Sequence, residues 1–185
     1  MNSTLWRSIC SEIETCQTDA NLQEINPRGY VPALELDNGE IITETPAVLQ
    51  RIANLDPSKQ LAPDWQDQSA RIELIGWLGY IGTELHKTCS PIILLKLTDE
   101  QRAQCIERLN VRLAYMNDLL AEQNFVMGEQ FSVADCYLFV VLGWDRFVGF
   151  DISPYANLVS YKQRVAARES VTTYMQQIEP YMPKK

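Results

Sequence analysis

Residues 26–34, which read Asn-Pro-Arg-Gly-Tyr-Val-Pro-Ala-Leu, have the types and spacing that suit the binding of an extended ligand backbone. Pro32 stands where a β-prone run begins, and because proline lacks a backbone donor it suits a turn or a sheet edge there. X-Pro bonds are also the bonds at which cis peptides occur. A cis bond between Val31 and Pro32 would turn the N–H and C=O of Val31 away from a sheet and towards a ligand. An ordinary proline between a loop and a strand fits the same spacing, so the residues alone leave both interpretations open.

Glu44-Thr45-Pro46-Ala47 form a second candidate site, at the predicted start of a helix. Thr45 suits the N-cap and Pro46 the first helical position. Free backbone N–H groups and the positive end of the helix dipole bind carboxylates at such a position, and Glu44 can accept from an ammonium. The segment therefore suits an amino-acid head group that carries both charges. Many helices start with Thr-Pro-Ala and bind nothing, so this motif alone does not decide between a head-group site and an ordinary helix start.

A third candidate surrounds His86, the only histidine in the chain. On a helix, Thr83, His86 and Lys87 share one face through i,i+3 and i,i+4 spacing. An imidazole can donate a hydrogen bond in either charge state when the donating nitrogen carries a proton. A lone helical histidine is nevertheless more often a surface residue or a satisfied core residue than a catalyst. Ser132 and Asp135 have the spacing of a capping box, which predicts a structural role.

The first of two regions that must position these residues is mainly extended. Residues 30–43 contain two short β-prone runs around Asn38-Gly39, which predicts a β-hairpin. A helix is expected directly after this hairpin. The proline-punctuated residues 56–63 then predict a domain boundary.

The second region is helical. Beyond residue 64, apolar residues recur at helical spacing, and Pro91 is expected to kink a long helix over residues 66–95. Further helices are expected after Thr98 and after Ser132. We therefore expect two domains, an N-terminal domain at residues 1–60 and an all-helical C-terminal domain at residues 66–185.

Composition and charge exclude several classes of function. The 185 residues are 46% hydrophobic and 22% charged, which predicts a folded rather than a disordered chain. The net charge of −8, without a Lys/Arg cluster, makes nucleic acid a poor partner. The longest apolar run, residues 136–144, is too short to span a bilayer, and residues 1–7 lack the pattern of a signal peptide. We therefore expect neither a membrane nor a nucleic-acid partner.

The five cysteines and the single histidine limit metal and redox chemistry. The cysteines are odd in number, widely spaced and without a C-x-x-C motif, which argues against a disulfide framework and against a thiolate zinc site. One histidine cannot form a multi-histidine metal centre. We therefore expect no metal and a reducing, cytoplasmic location.

Taken together, these motifs resemble the glutathione S-transferase family. Residues 26–34 followed, after a short hairpin, by Glu44-Thr45 are similar to the glutathione-binding half of that family. Residues 77–87, Trp-Leu-Gly-Tyr-Ile-Gly-Thr-Glu-Leu-His-Lys, resemble the matching helix of the bacterial beta-class enzymes. Residues 131–139 resemble the family's buried capping-box helix. The similarity runs from about residue 22 to the C-terminus.

The resemblance implies a thioredoxin-like N-terminal domain, a helical-bundle C-terminal domain and a homodimer. It also implies detoxification by conjugation of the thiolate of glutathione, the cosubstrate, to a small hydrophobic electrophile. Val31, before cis-Pro32, would then pair through its backbone with the cysteinyl part of glutathione. Glu44 and Thr45 would hold the γ-glutamyl ammonium and carboxylate. In the beta-class enzymes, the matching helix lines the part of the site that holds the glutathione thiol and the part that lies on the side of the dimer contact. The residues of this chain that match that helix are Thr83, Glu84, His86 and Lys87.

The N-terminal segment departs from the family pattern. A complete β-α-β-α unit before Asn26 needs roughly 40 residues, whereas 25 precede it, so we expect a shortened domain that lacks the first strand. The family's thiol-activating Tyr, Ser or Cys follows that strand. His86 is then the best candidate for thiol activation, with Cys10 second. A homologue that binds glutathione or a protein partner without catalysing conjugation is the alternative interpretation.

Overall fold

The computed structural model describes residues 22–178 of the protein, which fall into two units. The first unit ends at Arg71 and the second begins at Ile72. Residues 1–21, which include Cys10 and most of the segment expected to be shortened, lie outside the described residues, so those expectations stay predictions.

The first unit contains the β-hairpin that the Asn-Gly sequence predicted. Its elements are α1 (Leu22–Ile25), β1 (Ala33–Glu35), β2 (Ile41–Thr43), α2 (Thr45–Leu55) and a 3₁₀ turn (Pro57–Lys59). β1 pairs antiparallel with β2, with Leu34 opposite Ile42. At the turn, Leu36 N–H donates to Glu40 O (2.9 Å), and Gly39 adopts a φ of 80°, which glycine accepts without a Cβ clash. The predicted hairpin is therefore confirmed.

Helix α2 begins directly after the hairpin, because Glu44 is the single residue between β2 and α2. The sequence predicted Thr45 at the N-cap, but Val48 N–H bonds to Glu44 O (3.0 Å), so Glu44 is the N-cap and Thr45 the first helical residue. Pro46 is therefore the second helical residue, where its missing N–H still costs no intrahelical bond. The prediction was wrong by one residue because the chain must turn from strand to helix within a single residue. The buried face of α2 carries Val48 and Ala53.

The second unit consists of helices joined by loops. Its elements are α3 (Gln68–Tyr80, which begins just before the boundary), a π-helical segment (Ile81–His86), α4 (Lys87–Leu94), α5 (Asp99–Glu122), α6 (Val133–Leu142), α7 (Asp145–Val148), α8 (Ala156–Ala166) and α9 (Glu169–Ile178). The long helix predicted over residues 66–95 is thus interrupted by a π-helical segment, and α4 continues through Pro91. The kink expected at Pro91 stays a prediction.

The core of the second unit follows much of the predicted apolar spacing. The buried apolar residues of α3, the π-helical segment and α5 are Leu74, Leu78, Ile81, Leu85, Leu109, Leu113, Met116 and Leu120. Ile72 and Ile75 belong to the same apolar pattern, yet they are 67% and 54% exposed. The second unit therefore has an apolar surface as well as an apolar core. Within residues 22–178, none of the helices is both long enough and apolar enough to cross a membrane.

Helix α6 is mostly buried and begins with the capping box that the sequence predicted. Ser132 Oγ accepts from Ala134 N–H (3.2 Å), and Asp135 Oδ2 accepts from Ser132 N–H (2.8 Å). Val126 N–H and Tyr161 Oη donate to Asp135 Oδ1 at 2.8 and 3.1 Å. Burial raises the pKa of Asp135, while these hydrogen bonds act in the opposite direction. The carboxylate therefore ties the start of α6 to two neighbouring segments, which supports the predicted structural role.

Candidate functional site

The loop before β1 is organised by Asn26, which is 3% exposed. Its Nδ2 donates to Tyr30 O (2.7 Å), and its Oδ1 accepts from Arg28 N–H (3.2 Å). Gly29 N–H donates to Asn26 O (2.8 Å) at a φ of 68°, so the turn requires a residue that accepts positive φ. A buried side-chain amide thus sets the path of the chain into Val31. Sequence reasoning identified this segment but missed the role of Asn26.

The peptide bond between Val31 and Pro32 is cis. The pairing of β1 with β2 begins at Ala33, so the N–H and C=O of Val31 do not belong to that ladder. Val31 is 38% exposed. The geometry therefore matches the first of the two sequence interpretations, in which Val31 offers backbone groups outside the sheet.

Glu44 has the most constrained backbone of the candidate residues. Its φ of 72° and ψ of 127° are costly for a residue with a Cβ, by about 1–3 kcal/mol. Its side chain makes no capping hydrogen bond; Oε1 accepts from Arg28 Nη1 at 2.9 Å instead. This ion pair is exposed and contributes at most about 1 kcal/mol to stability. Its effect is to orient the carboxylate, and sequence reasoning missed it because the partners lie 16 residues apart.

The start of α2 supplies hydrogen-bond donors beside Glu44. The first intrahelical bond is made by Val48 N–H, so the N–H groups of Thr45 and Ala47 precede it. Pro46 contributes no donor. Thr45 is half-buried and adds a hydroxyl. Two amides, a hydroxyl and the helix dipole are therefore available to an anionic group, with the Glu44 carboxylate next to them for a cationic group.

In the second unit, four candidate residues lie on or beside the π-helical segment. Lys87 N–H bonds to Gly82 O, five residues back rather than four, so this turn contains one residue more than an α-helical turn. Thr83 is exposed and donates through Oγ1 to Gly79 O (3.0 Å). The Glu84 carboxylate accepts from Arg112 Nε (3.1 Å) and Nη2 (2.9 Å). The sequence predicted that Thr83, His86 and Lys87 share one face of an α-helix, and the structure has a wider, π-helical turn there instead.

His86 lies half-buried at the end of this segment, between two aromatic rings. Its Nδ1 is 2.8 Å from Tyr137 Oη, and its ring meets the ring of Trp144 edge-on, with centroids 4.7 Å apart and planes at 89°. Burial, and to a smaller extent the charge of Lys87, lowers the pKa of His86. The neutral form of the imidazole therefore predominates at and above pH 7. Its contact with Tyr137 spans 51 residues of sequence, which is why no local pattern could predict it.

Two of the described thiols are poor candidates for nucleophilic chemistry. Burial raises the pKa of Cys89 to about 11, and burial together with the charge of Asp135 raises that of Cys136 to about 11. Both thiols are therefore protonated at neutral pH, and a thiol is a weak nucleophile in that form. Among residues 22–178, there is no group of three or more His, Cys, Asp or Glu side chains placed to hold a metal ion.

The candidate residues thus form two groups, each within one unit. Val31, Pro32, Glu44 and Thr45 belong to the first unit, and Thr83, Glu84, His86 and Lys87 to the second. Cys10 lies outside the described residues.

Comparison with known proteins identifies the family. Residues 8–60 match "Glutathione S-transferase, N-terminal domain", and residues 75–169 match "Glutathione S-transferase, C-terminal domain". The glutathione S-transferase GstA of Escherichia coli O157:H7 is 36% identical over 148 residues, which cover 80% of this chain and 73% of that protein. The chain therefore belongs to the glutathione S-transferase family.

Solved structures agree with this assignment. A sphingomonad glutathione S-transferase complexed with glutathione is 36% identical and superposes with a TM-score of 0.84, over 89% of this chain and 81% of that one. A beta-class glutathione S-transferase of Sphingomonas chungbukensis is 38% identical, with a TM-score of 0.83 and the same coverage. The resemblance to beta-class enzymes and the expected fold, a thioredoxin-like N-terminal domain followed by a helical C-terminal domain, are confirmed. The protein is a glutathione S-transferase homologue, as its motifs predicted.

Proposed function

We propose that the protein is a cytoplasmic homodimer that detoxifies small hydrophobic electrophiles by conjugating them to glutathione, without a metal. The observation that carries this proposal is that the first unit contains both features expected of a glutathione site. Val31 offers backbone groups outside the sheet at a cis proline, and Glu44 and Thr45 offer groups for both charges of an amino-acid head group. The relative solved with bound glutathione supports the choice of ligand.

In this proposal the first unit binds glutathione. The backbone N–H and C=O of Val31 pair with the cysteinyl part of the tripeptide. The γ-glutamyl carboxylate is bound by the hydroxyl and N–H of Thr45 at the positive end of α2, and its ammonium is bound by Glu44. Arg28 contacts Oε1 of Glu44, which leaves Oε2 to accept from the ammonium.

The second unit activates the thiol. His86 donates a hydrogen bond to the thiolate, which lowers the thiol pKa and raises the concentration of the nucleophile. Cys10 is the second candidate for this role. Thr83, Glu84 and Lys87 line the part of the site that holds the glutathione thiol and the part that lies on the side of the dimer contact. The electrophile adds to the thiolate sulfur, and the protein's part is to bind, orient and ionise the thiol.

An apolar face of the second unit supports the homodimer. Ile72, Ile75, Val111 and Tyr115 are exposed on α3 and α5. The rings of Trp77 and Tyr115 stack with centroids 6.4 Å apart. The ring contact shows that α3 and α5 are neighbours, and exposed apolar side chains on adjacent helices are candidates for an interaction surface. We assign this face to the contact between two copies, as in the dimer that the family resemblance implies.

Conjugation of a chlorodinitrobenzene-type substrate tests the proposed activity. We expect turnover well above the rate with free glutathione, measured under the same conditions without protein. Turnover no faster than the uncatalysed reaction, together with retained glutathione binding, would support the non-catalytic alternative.

A further inference from the structure

The contact between His86 and Tyr137 has a consequence for the proton on the imidazole. A neutral imidazole carries one N–H, so one ring nitrogen donates and the other accepts. The hydroxyl of Tyr137, 2.8 Å from Nδ1, can donate to that nitrogen or accept from it. In the first case the ring proton is on Nε2, and in the second it is on Nδ1. The two cases give opposite hydrogen-bonding characters to Nε2.

The surroundings of the pair keep both rings in place. Tyr137 is 7% exposed and belongs to the buried helix α6. A Cβ added at Gly82 would lie 3.5 Å from Tyr137 Oη, so the hydroxyl rests against the π-helical segment that carries His86. Trp144 meets the imidazole edge-on from another side. These contacts fix the orientation of the imidazole, and they leave its protonation pattern to the hydrogen bond.

We propose that Tyr137 is a positioning residue for His86, and that its hydroxyl donates to Nδ1 and holds the proton on Nε2. A phenol O–H is a stronger donor than a neutral imidazole N–H, which favours this direction of the bond. A thiolate can only accept, so a neutral imidazole can stabilise it only from a protonated Nε2 when Nδ1 is engaged. The part of this inference that concerns the thiolate rests on the proposed function, whereas the part that concerns the tautomer does not.

Tyr137→Phe tests the inference because it removes the hydroxyl and keeps the ring. His86 is the only histidine of the chain, so long-range ¹H–¹⁵N NMR of labelled protein reports its ring nitrogens without assignment. Above pH 7 we expect the parent to show a single tautomer, protonated on Nε2. Tyr137→Phe should show altered Nδ1 and Nε2 signals and a mixture of tautomers. It should also lower kcat for conjugation about 2- to 13-fold, with the KM for glutathione nearly unchanged.

Tyr155→Phe is the matched control. It removes a phenol that donates to Asn110 O (3.2 Å) in the same unit rather than to His86. We expect it to leave the histidine signals and kcat unchanged.

Four results would be decisive. A parent ring protonated on Nδ1, or ring-nitrogen signals that are the same in Tyr137→Phe, would overturn the inference whatever the activity. Altered signals with a lower kcat would support both the inference and the role of His86. Altered signals with an unchanged kcat would support the hydrogen bond and overturn the assignment of His86 to the thiolate.

Discussion

Replacing Glu44 with Gln tests the amino-acid head-group site at the start of α2. The amide has nearly the size of the carboxylate, so the change removes a negative charge while the backbone can keep its turn at a φ of 72°. We expect weaker binding of glutathione, because the ammonium of the γ-glutamyl group loses a charge-assisted acceptor.

The magnitude follows from the exposure of the carboxylate. Hydrogen bonds to charged groups contribute about 1.5–3 kcal/mol, and exposed ion pairs about 0.2–1 kcal/mol. The side chain of Glu44 is 62% exposed, and Arg28 already shares one of its oxygens. We therefore expect Glu44→Gln to lose binding free energy between these two cases, about 1–2 kcal/mol. This corresponds to a roughly five- to thirtyfold higher Kd for glutathione.

Isothermal titration calorimetry measures this loss, with two ligands that isolate the ammonium. Glutathione should bind Glu44→Gln more weakly than it binds the parent. A glutathione analogue that lacks the α-amino group should bind both proteins equally. Glu35→Gln is the control, since Glu35 is an exposed carboxylate on β1 of the same unit and the change in net charge is identical. Equal glutathione affinity for Glu44→Gln and the parent, or an equal loss in Glu35→Gln, would refute the reasoning.

Three further changes test the second unit. His86→Ala should lower kcat for conjugation about 10- to 1000-fold and raise the pKa of the bound thiol, followed by thiolate absorbance; unchanged values would show that the thiol is activated elsewhere. Because the pKa of His86 is lowered on folding, its contribution to stability is fully present above about pH 6.5 and is lost as the pH falls through the lowered value. Denaturant unfolding at pH 7.5 and 5.5 should therefore show a smaller fall in the free energy of unfolding for His86→Gln than for the parent, and equal falls would contradict this. Ile75→Glu should give a species of about 21 kDa by light scattering, whereas the control Leu94→Glu, at another exposed apolar position, should keep the mass of the dimer; a parent of about 21 kDa would reject the dimer.

The features that the sequence predicted are those that local residues determine. The hairpin depends on Asn38-Gly39, and the start of α6 depends on Ser132 and Asp135 three residues apart, so both could be predicted from short-range rules. The N-cap of α2 was misplaced by one residue because the position of β2, rather than capping preference, sets where the chain turns.

The features that the sequence could not predict depend on distant contacts. The orientation of Glu44 depends on Arg28, and the orientation of His86 depends on Tyr137, at separations of 16 and 51 residues. The π-helical segment has no local signal either, because its residues are compatible with an ordinary α-helix. Family resemblance therefore located the candidate residues, while the hydrogen bonds that orient them required the structure.

One neutral donor is sufficient for the thiol activation that conjugation requires. A cysteine thiol has a pKa of about 8.5. A hydrogen bond to a charged acceptor contributes about 1.5–3 kcal/mol, and each 1.36 kcal/mol, roughly, shifts a pKa by one unit. In the proposed arrangement, donation from Nε2 of His86 would lower the pKa of the thiol to about 6.3–7.4, at which about half or more of the bound thiol is ionised near pH 7.5. The proposed thiol activation would therefore not require a charged imidazole, which agrees with a half-buried His86 whose pKa is lowered.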